Sequence, residues 1–165
     1  MVVPGSKVLM ADFTYKLIED IRKGDIVWTA TGDGIVEHAV KIGSMDPCRP
    51  MCKIGDLWIT PYHPVLVNET WEFPATISAV TERMERNLYN LVLDHGHTVQ
   101  ICGVLTCTLG HGMSGEIIHH PFFGNKDHVL NYLSVLPGFA VGRPVFSNLD
   151  TLKQDGIVSA WYNKD

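Results

Sequence analysis

Two side chains in the stretch Ile59-Thr60-Pro61-Tyr62-His63-Pro64-Val65 are of types that bind amides and move protons. Pro61 and Pro64 exclude a helix across it. A Thr-x-x-His pair held at a strand end puts a hydroxyl and an imidazole near one point. Such a pair can hold an amide and hand a proton to its nitrogen as the C–N bond breaks. An isolated T-x-x-H also reads as a turn with an incidental histidine, so its surroundings decide between the two.

The tail is the second concentration of chemistry. Residues 108–165 hold four of the eight histidines: His111, His119, His120 and His128. Metal ligation finds no support in spacing, because no H-E-x-x-H or paired C-x-x-C is present and Cys48-x-x-x-Cys52 is an atypical pair. No metal and no other cofactor is expected. His119, His120 and Lys126, with a helix start at Asn125, offer an anion pocket, since helix N-termini favour negative ligands. The same rings could instead pack the tail onto the body, and both readings stand. The four cysteines are too few and too clustered for a disulfide framework.

These residues need a scaffold, and the sequence points to β structure. Residues 6–12 read as a strand and turn, and Gly24-Asp25 leads into Ile26-Val27-Trp28. Thr31-Gly32-Asp33-Gly34 predicts a hairpin turn before Ile35–Val40. Strands are expected at Met51–Ile54, Leu57–Thr60 and Val65–Val67, and Pro74 after the Trp71-Glu72-Phe73 clamp suits a sheet edge. Leu88–Leu93 and His97–Ile101 read as a hairpin across Asp94-His95-Gly96, with one more strand over 103–108. Beyond Leu109 a glycine-rich hinge precedes a helix over Lys126–Leu136, capped by Asn125 and ended by Pro137-Gly138. Ile157-Val158 is the best strand candidate after it. The expected architecture is a large all-β body with a small mixed C-terminal lobe containing one helix.

Three local patterns fall in a telling order: Gly5-Ser6-x-Val8 to Ala11-Asp12 running into Ile18-Glu19-Asp20-Ile21-x-x-Gly24-Asp25-x-Val27; Thr60-x-x-His63; and Leu88-Tyr89-Asn90-Leu91 to Gly96-His97-Thr98-Val99 ahead of Gly103-Val104-Leu105. Together they resemble the Hint family, the self-processing domains of inteins and Hedgehog proteins. Thr108-Leu109-Gly110-His111-Gly112 with His120-Pro121-Phe122-Phe123-Gly124 is similar to the Vint subgroup, in which a Hint domain accompanies a von Willebrand type A domain. The resemblance implies a horseshoe-like Hint β fold, with a processing core over residues 1–107 and a lobe over 108–165 in the place of the Hedgehog adduct-recognition region.

It also implies autocatalytic cleavage at the domain's N-terminal junction. The family's first residue, cysteine or sometimes serine, attacks the carbonyl upstream and turns a peptide bond into a thioester by an N–S acyl shift. His63 matches the histidine that protonates the departing amine, and Thr60 the hydroxyl that orients the amide. Ungapped counting from Gly24-Asp25 brings Asp46 onto the carboxylate that activates an incoming hydroxyl in Hedgehog proteins; a turn aspartate before Pro47 explains it equally. Cys107 resembles the second cysteine near the Hedgehog site, or else is a small buried apolar residue.

The chain departs from the family in three places. Met1 stands where the nucleophile belongs, and a thioether cannot form a thioester; Met1 reads as an expression start, and the chain as given is expected to be inert. Cys107-Thr108 replaces the His-Asn pair with which inteins close, so splicing is not expected. Asn90 stands where many inteins carry aspartate. The implied partners are the upstream polypeptide, within a von Willebrand A-containing precursor, and a small nucleophile such as water, a thiol or an alcohol.

Composition narrows the alternatives. At 165 residues, 45% hydrophobic and 19% charged, the chain is long and apolar enough to bury a core. A formal net charge of −5 argues against nucleic acid as a partner. No apolar run reaches the roughly 18 residues of a membrane span, and the start shows no signal-peptide pattern. The compartment stays open. A non-catalytic all-β binding module is the main alternative, because Gly-Asp-x-Val turns also occur in SH3-like barrels. A metal-dependent hydrolase lacks any ligand set.

Overall fold

The computed structural model describes residues 1–164. In chain order the strands are β1 (Lys7–Leu9), β2 (Tyr15–Leu17), β3 (Ile26–Thr29), β4 (Gly32–Gly43), β5 (Cys48–Ile54), β6 (Leu57–Ile59), β7 (Val65–Val67) and β8 (Thr70–Glu72). After the short helix α1 (Pro74–Ile77) come β9 (Val80–Met84), β10 (Asn87–Leu93), β11 (Thr98–Ile101) and β12 (Val104–Cys107). Helix α2 (Lys126–Leu133) is followed by β13 (Val145–Phe146), β14 (Leu149–Gln154) and β15 (Ile157–Asn163). The fold is mostly β, with one main helix and no closed barrel.

A six-stranded sheet runs β2-β1-β11-β12-β7-β8; a second runs β10-β4-β13 with β3 also on β4; β6-β5-β9 and the β14-β15 hairpin complete the set. Strand β4 is the spine. Gly34, Val36, His38, Val40 and Ile42 are all buried along it, the period of two that a strand imposes. Beside it, Leu91 and Leu93 of β10 enter one apolar cluster with Ile18, Val27 and Ile59. Leu88 and Val92, on the opposite face, join Val40 and Ile42 in another with Phe122, Val129, Leu133, Phe146 and Trp161. Residues after 108 therefore cover the outer face of β4 and β10. That second covering explains why Leu91-Val92-Leu93 is apolar without alternation. Gly43 lets β13 approach in parallel: a Cβ there would lie 2.7 Å from the Phe146 carbonyl oxygen.

Four local expectations change. Strands β10 and β11 are not a hairpin: β10 pairs with β4 and β11 with β12 and β1. A register shift at Val92/Leu93 and positive φ at Gly96 and His97 swing the chain from one sheet to the other. The β3–β4 hairpin forms, but Thr29 pairs with Gly32, so Ala30-Thr31 make the turn. Pro74 opens α1 instead of lying on an edge strand, the first helical position, where its missing N–H costs nothing. Helix α2 stops at Leu133; the Ser134 hydroxyl donates to the Asn131 carbonyl and the Leu136 N–H turns back to Leu133, ahead of Pro137, which disfavours helical backbone at residue 136.

The α2 start is as expected, with the Asn125 side chain accepting from the His128 N–H at 3.1 Å. Asn125→Ala is expected to cost about 1 kcal/mol, read from urea melts; an unchanged midpoint would show that packing alone sets this end. No helix among the described residues is long and apolar enough to cross a membrane.

Candidate functional site

The first three residues form a rung between β6 and β10. Val2 exchanges both backbone hydrogen bonds with Tyr89, at 3.0 and 2.9 Å, and the Val3 N–H reaches the Trp58 carbonyl at 3.4 Å. The Met1 carbonyl accepts from the Thr60 N–H at 3.0 Å. Alternation sends Val2 into the first apolar cluster and Val3 into the second. With both neighbours pinned, the backbone nitrogen of Met1 has one place to be.

That place is the Thr60/His63 corner. The Met1 nitrogen donates to Thr60 Oγ1 at 3.0 Å and to His63 Nδ1. The other ring nitrogen, Nε2, donates to the Cys107 carbonyl at 2.8 Å. Since a carbonyl only accepts, Nε2 carries the ring proton and Nδ1 turns its lone pair toward the Met1 nitrogen. The turn that aims the ring is built locally, with the His63 N–H on the Thr60 carbonyl and Pro61 and Pro64 stiffening either side.

Both Met1 and His63 keep part of their surface on an adjoining cleft, yet the Met1 nitrogen and the His63 ring nitrogens are enclosed by their hydrogen-bond partners. Desolvation pushes the Met1 amine down to about 5 and holds the His63 imidazole well below its usual range, the neighbouring amine adding to the second effect. Cys107 is buried, and loss of hydration pushes its thiol up to about 12, so it stays protonated at neutral pH. All four cysteines are free thiols.

The cleft has a volume of about 320 Å³. Met1, Thr60, His63 and Cys107 lie on one side, Tyr62 and Phe73 stand at another, and Ile117, Ile118, Phe123 and Trp161 are contributed by the tail. Tyr62 and Phe73 meet edge to face at 5.5 Å. Asn90, Thr108, His111, His119 and His120 supply polar groups. Of the residues selected from sequence, the structure thus brings Met1, Thr60, His63, Cys107, His119 and His120 to one cleft.

Two others lie outside its lining. Asp46 is exposed in the turn after β4, where its carboxylate accepts from the Cys48 N–H at 3.0 Å. The Lys126 ammonium donates to the Leu93 carbonyl at 3.0 Å and pairs with Glu37 at 2.5 Å. The anion pocket thereby loses its cation to neighbours within the fold, and the Asn125 cap already occupies the start of α2. His111 lines the cleft, although the sequence marked it only as one of the tail histidines and as part of the Thr108–Gly112 pattern, without a site role. Its flanking glycines were the available signal. Among the described residues, no group of three or more His, Cys, Asp or Glu side chains is placed to hold a metal ion.

Comparison with known proteins gives these features a family. The fold is similar to that of the gp41-1 intein, at 16% identity and a TM-score of 0.50, covering 65% of this chain and 97% of that one. It is also similar to a bacterial intein-like domain from Clostridium thermocellum, at 16% identity and a TM-score of 0.50, covering 65% and 96%. At that identity the likeness concerns the fold. No curated protein sequence matches. A family model described as Vint, Hint-domain, matches residues 3–158, a span that includes Thr60, His63 and Cys107, and the chain belongs to that family of Hint domains.

Proposed function

We propose that this domain breaks the peptide bond immediately upstream of position 1 by an N–S acyl shift when a cysteine stands there. The observation that carries the reading is the Met1 nitrogen held between Thr60 Oγ1 and the Nδ1 lone pair of His63. In a longer chain that nitrogen is the amide nitrogen of the bond to be broken. A thiol at position 1 gives its proton to Nδ1 and adds to the upstream carbonyl carbon. The C–N bond then breaks, and the same proton passes from Nδ1 to the departing nitrogen. Thr60 keeps the amide in register, and the Cys107 carbonyl keeps the ring in the tautomer that can accept. Water, a thiol or an alcohol completes cleavage at the thioester. Asp46, outside the cleft, takes no part in the shift; a role for it belongs to that later transfer.

With Met1 in place the chain is inert, because a thioether has no proton to give and makes no stable acyl bond. Cleavage without splicing follows from Cys107-Thr108 and the continuing chain. Residues 1–107 act as the processing core, and residues 108–165, which wall the cleft with Ile117, Ile118, Phe123 and Trp161, stand where an incoming nucleophile would bind. The upstream partner in this reading is the von Willebrand A-containing part of a precursor.

The test is Met1→Cys with several upstream residues and a fused reporter, incubated with and without added thiol. A thiol-accelerated break at that junction is expected. An intact junction under both conditions would instead favour a non-catalytic binding module that uses the same cleft.

A further inference from the structure

We infer that His111 supplies the hydrogen bond that holds the oxygen of the carbonyl preceding position 1, through its Nε2–H. The inference rests on the cleavage reading above and adds to it a residue from the tail. His111 is only 7% exposed, yet it lines the cleft with Met1 and His63. Its Nδ1 accepts from the Met113 N–H at 2.9 Å, so in the neutral ring the proton sits on Nε2. Among the described residues that N–H meets no protein acceptor. Because the ring lines the cleft and its other nitrogen is already taken, the Nε2–H is free to meet an oxygen brought by the cleft's occupant.

The ring is held as a built feature. The Gly110 N–H donates to the Phe123 carbonyl at 2.7 Å and the Gly112 N–H to the Gly124 carbonyl at 2.9 Å, which pins the loop on both sides of His111. Gly110 and Gly112 both take positive φ, which glycine adopts freely. Gly124 makes room for the imidazole, since a Cβ there would lie 3.2 Å from its Cε1. Burial, with His97, His119 and His120 nearby, pushes the ring down to about 4. It is therefore neutral at neutral pH, and its Nδ1 lone pair, taken by the Met113 N–H, is not offered to the thiol proton.

The two histidines divide the work. When the sulfur adds to the carbonyl carbon, the C–S bond forms and the carbonyl π pair moves onto oxygen. The His111 Nε2–H stabilises that oxyanion; the pair returns as the C–N bond breaks and His63 protonates the nitrogen. A donor held in place before the reaction needs no reorganisation as charge develops on that oxygen.

In the Met1→Cys chain with its upstream reporter, His111→Ala is expected to slow thiol-induced breakage by about 10²–10³-fold. His111→Gln, which restores an N–H donor, should recover most of that loss. Equal slowing by both, with a matching fall in melting temperature, would mark His111 as structural and overturn the inference, as would an unchanged rate in His111→Ala. A second measurement needs no cleavage: nitrogen-detected NMR of the Met1 chain with and without the upstream residues. The His111 Nε2–H signal is expected to move downfield and exchange more slowly when the upstream carbonyl is present. A signal indifferent to the extension overturns the inference even if the junction breaks. Failure of the Met1→Cys chain to break at all sinks the cleavage reading instead, and the spectra still decide the contact.

Discussion

His63→Ala, made in the Met1→Cys chain with an upstream flank, is expected to slow breakage of the junction by roughly 10²–10⁴-fold, the range that a positioned acid–base group contributes. The size follows from geometry. Nδ1 is the one ring nitrogen free to act, because Nε2 is committed to the Cys107 carbonyl, and it lies against the Met1 nitrogen, the leaving group of the proposed shift. Thr60 touches the same nitrogen, but a hydroxyl is a far weaker proton carrier near neutral pH. The fold should survive, since the ring contributes little to either apolar cluster and its loss removes two hydrogen bonds of about 1 kcal/mol each. The check pairs single-turnover cleavage, followed on gels, with a thermal melt of the same variant. An undiminished rate would remove His63 from the mechanism; a collapse of the melt would make it a structural residue.

Acidification is the second large effect. The Met1 amine is pushed down to about 5 from an ordinary value of 8.0, and His63 is held well below 6.5. A base whose pKa is lower in the folded chain binds its proton first in the unfolded one, so the unfolded state gains as pH falls. The amine's contribution is complete above about pH 8 and is lost progressively down to about pH 5. His63 adds a loss that begins near pH 6.5, and His111, pushed down to about 4, extends the slope further. At 1.36 kcal/mol per unit the amine alone accounts for up to about 4 kcal/mol. Denaturant midpoints between pH 8 and pH 5 should fall steeply. The upstream-extended chain, in which that amine is an amide, should lose the amine's share between pH 8 and pH 5 and keep only the histidines' share below about pH 6.5. A flat profile in the unextended chain would mean that water reaches the Met1 nitrogen.

Much of the architecture was legible in local chemistry. Strand propensity and period-two burial mark β4, β6 and β7, Gly55-Asp56 turns β5 into β6, and Asn125 caps α2. The errors share a cause. Leu88–Leu93 and His97–Ile101 carry hairpin signals, but the partner of a strand is chosen by which faces can be buried at once. Both faces of β10 are buried here, one toward the body and one toward the tail, and only pairing with β4 achieves that. Strand β9, which was not anticipated, is exposed at Val80, Thr81 and Glu82 and is held by its ladder with β5 rather than by an apolar pattern.

The sequence by itself determined the candidate reagents: a Thr-x-x-His stiffened by Pro61 and Pro64, the cysteine of the Val104-Leu105-Thr106-Cys107 strand and the four histidines after residue 108. Those are facts of residue type and spacing, and chemistry follows from them at short range. Only the tertiary structure decided which groups share a cleft. Met1, His63 and Cys107 meet because the first residues pair with both β6 and β10 while β12 runs beside β7. Asp46 and Lys126 stay outside the lining because turn and ion-pair partners hold them elsewhere. Such long-range pairing depends on what each face of a strand can bury, which no window of sequence contains.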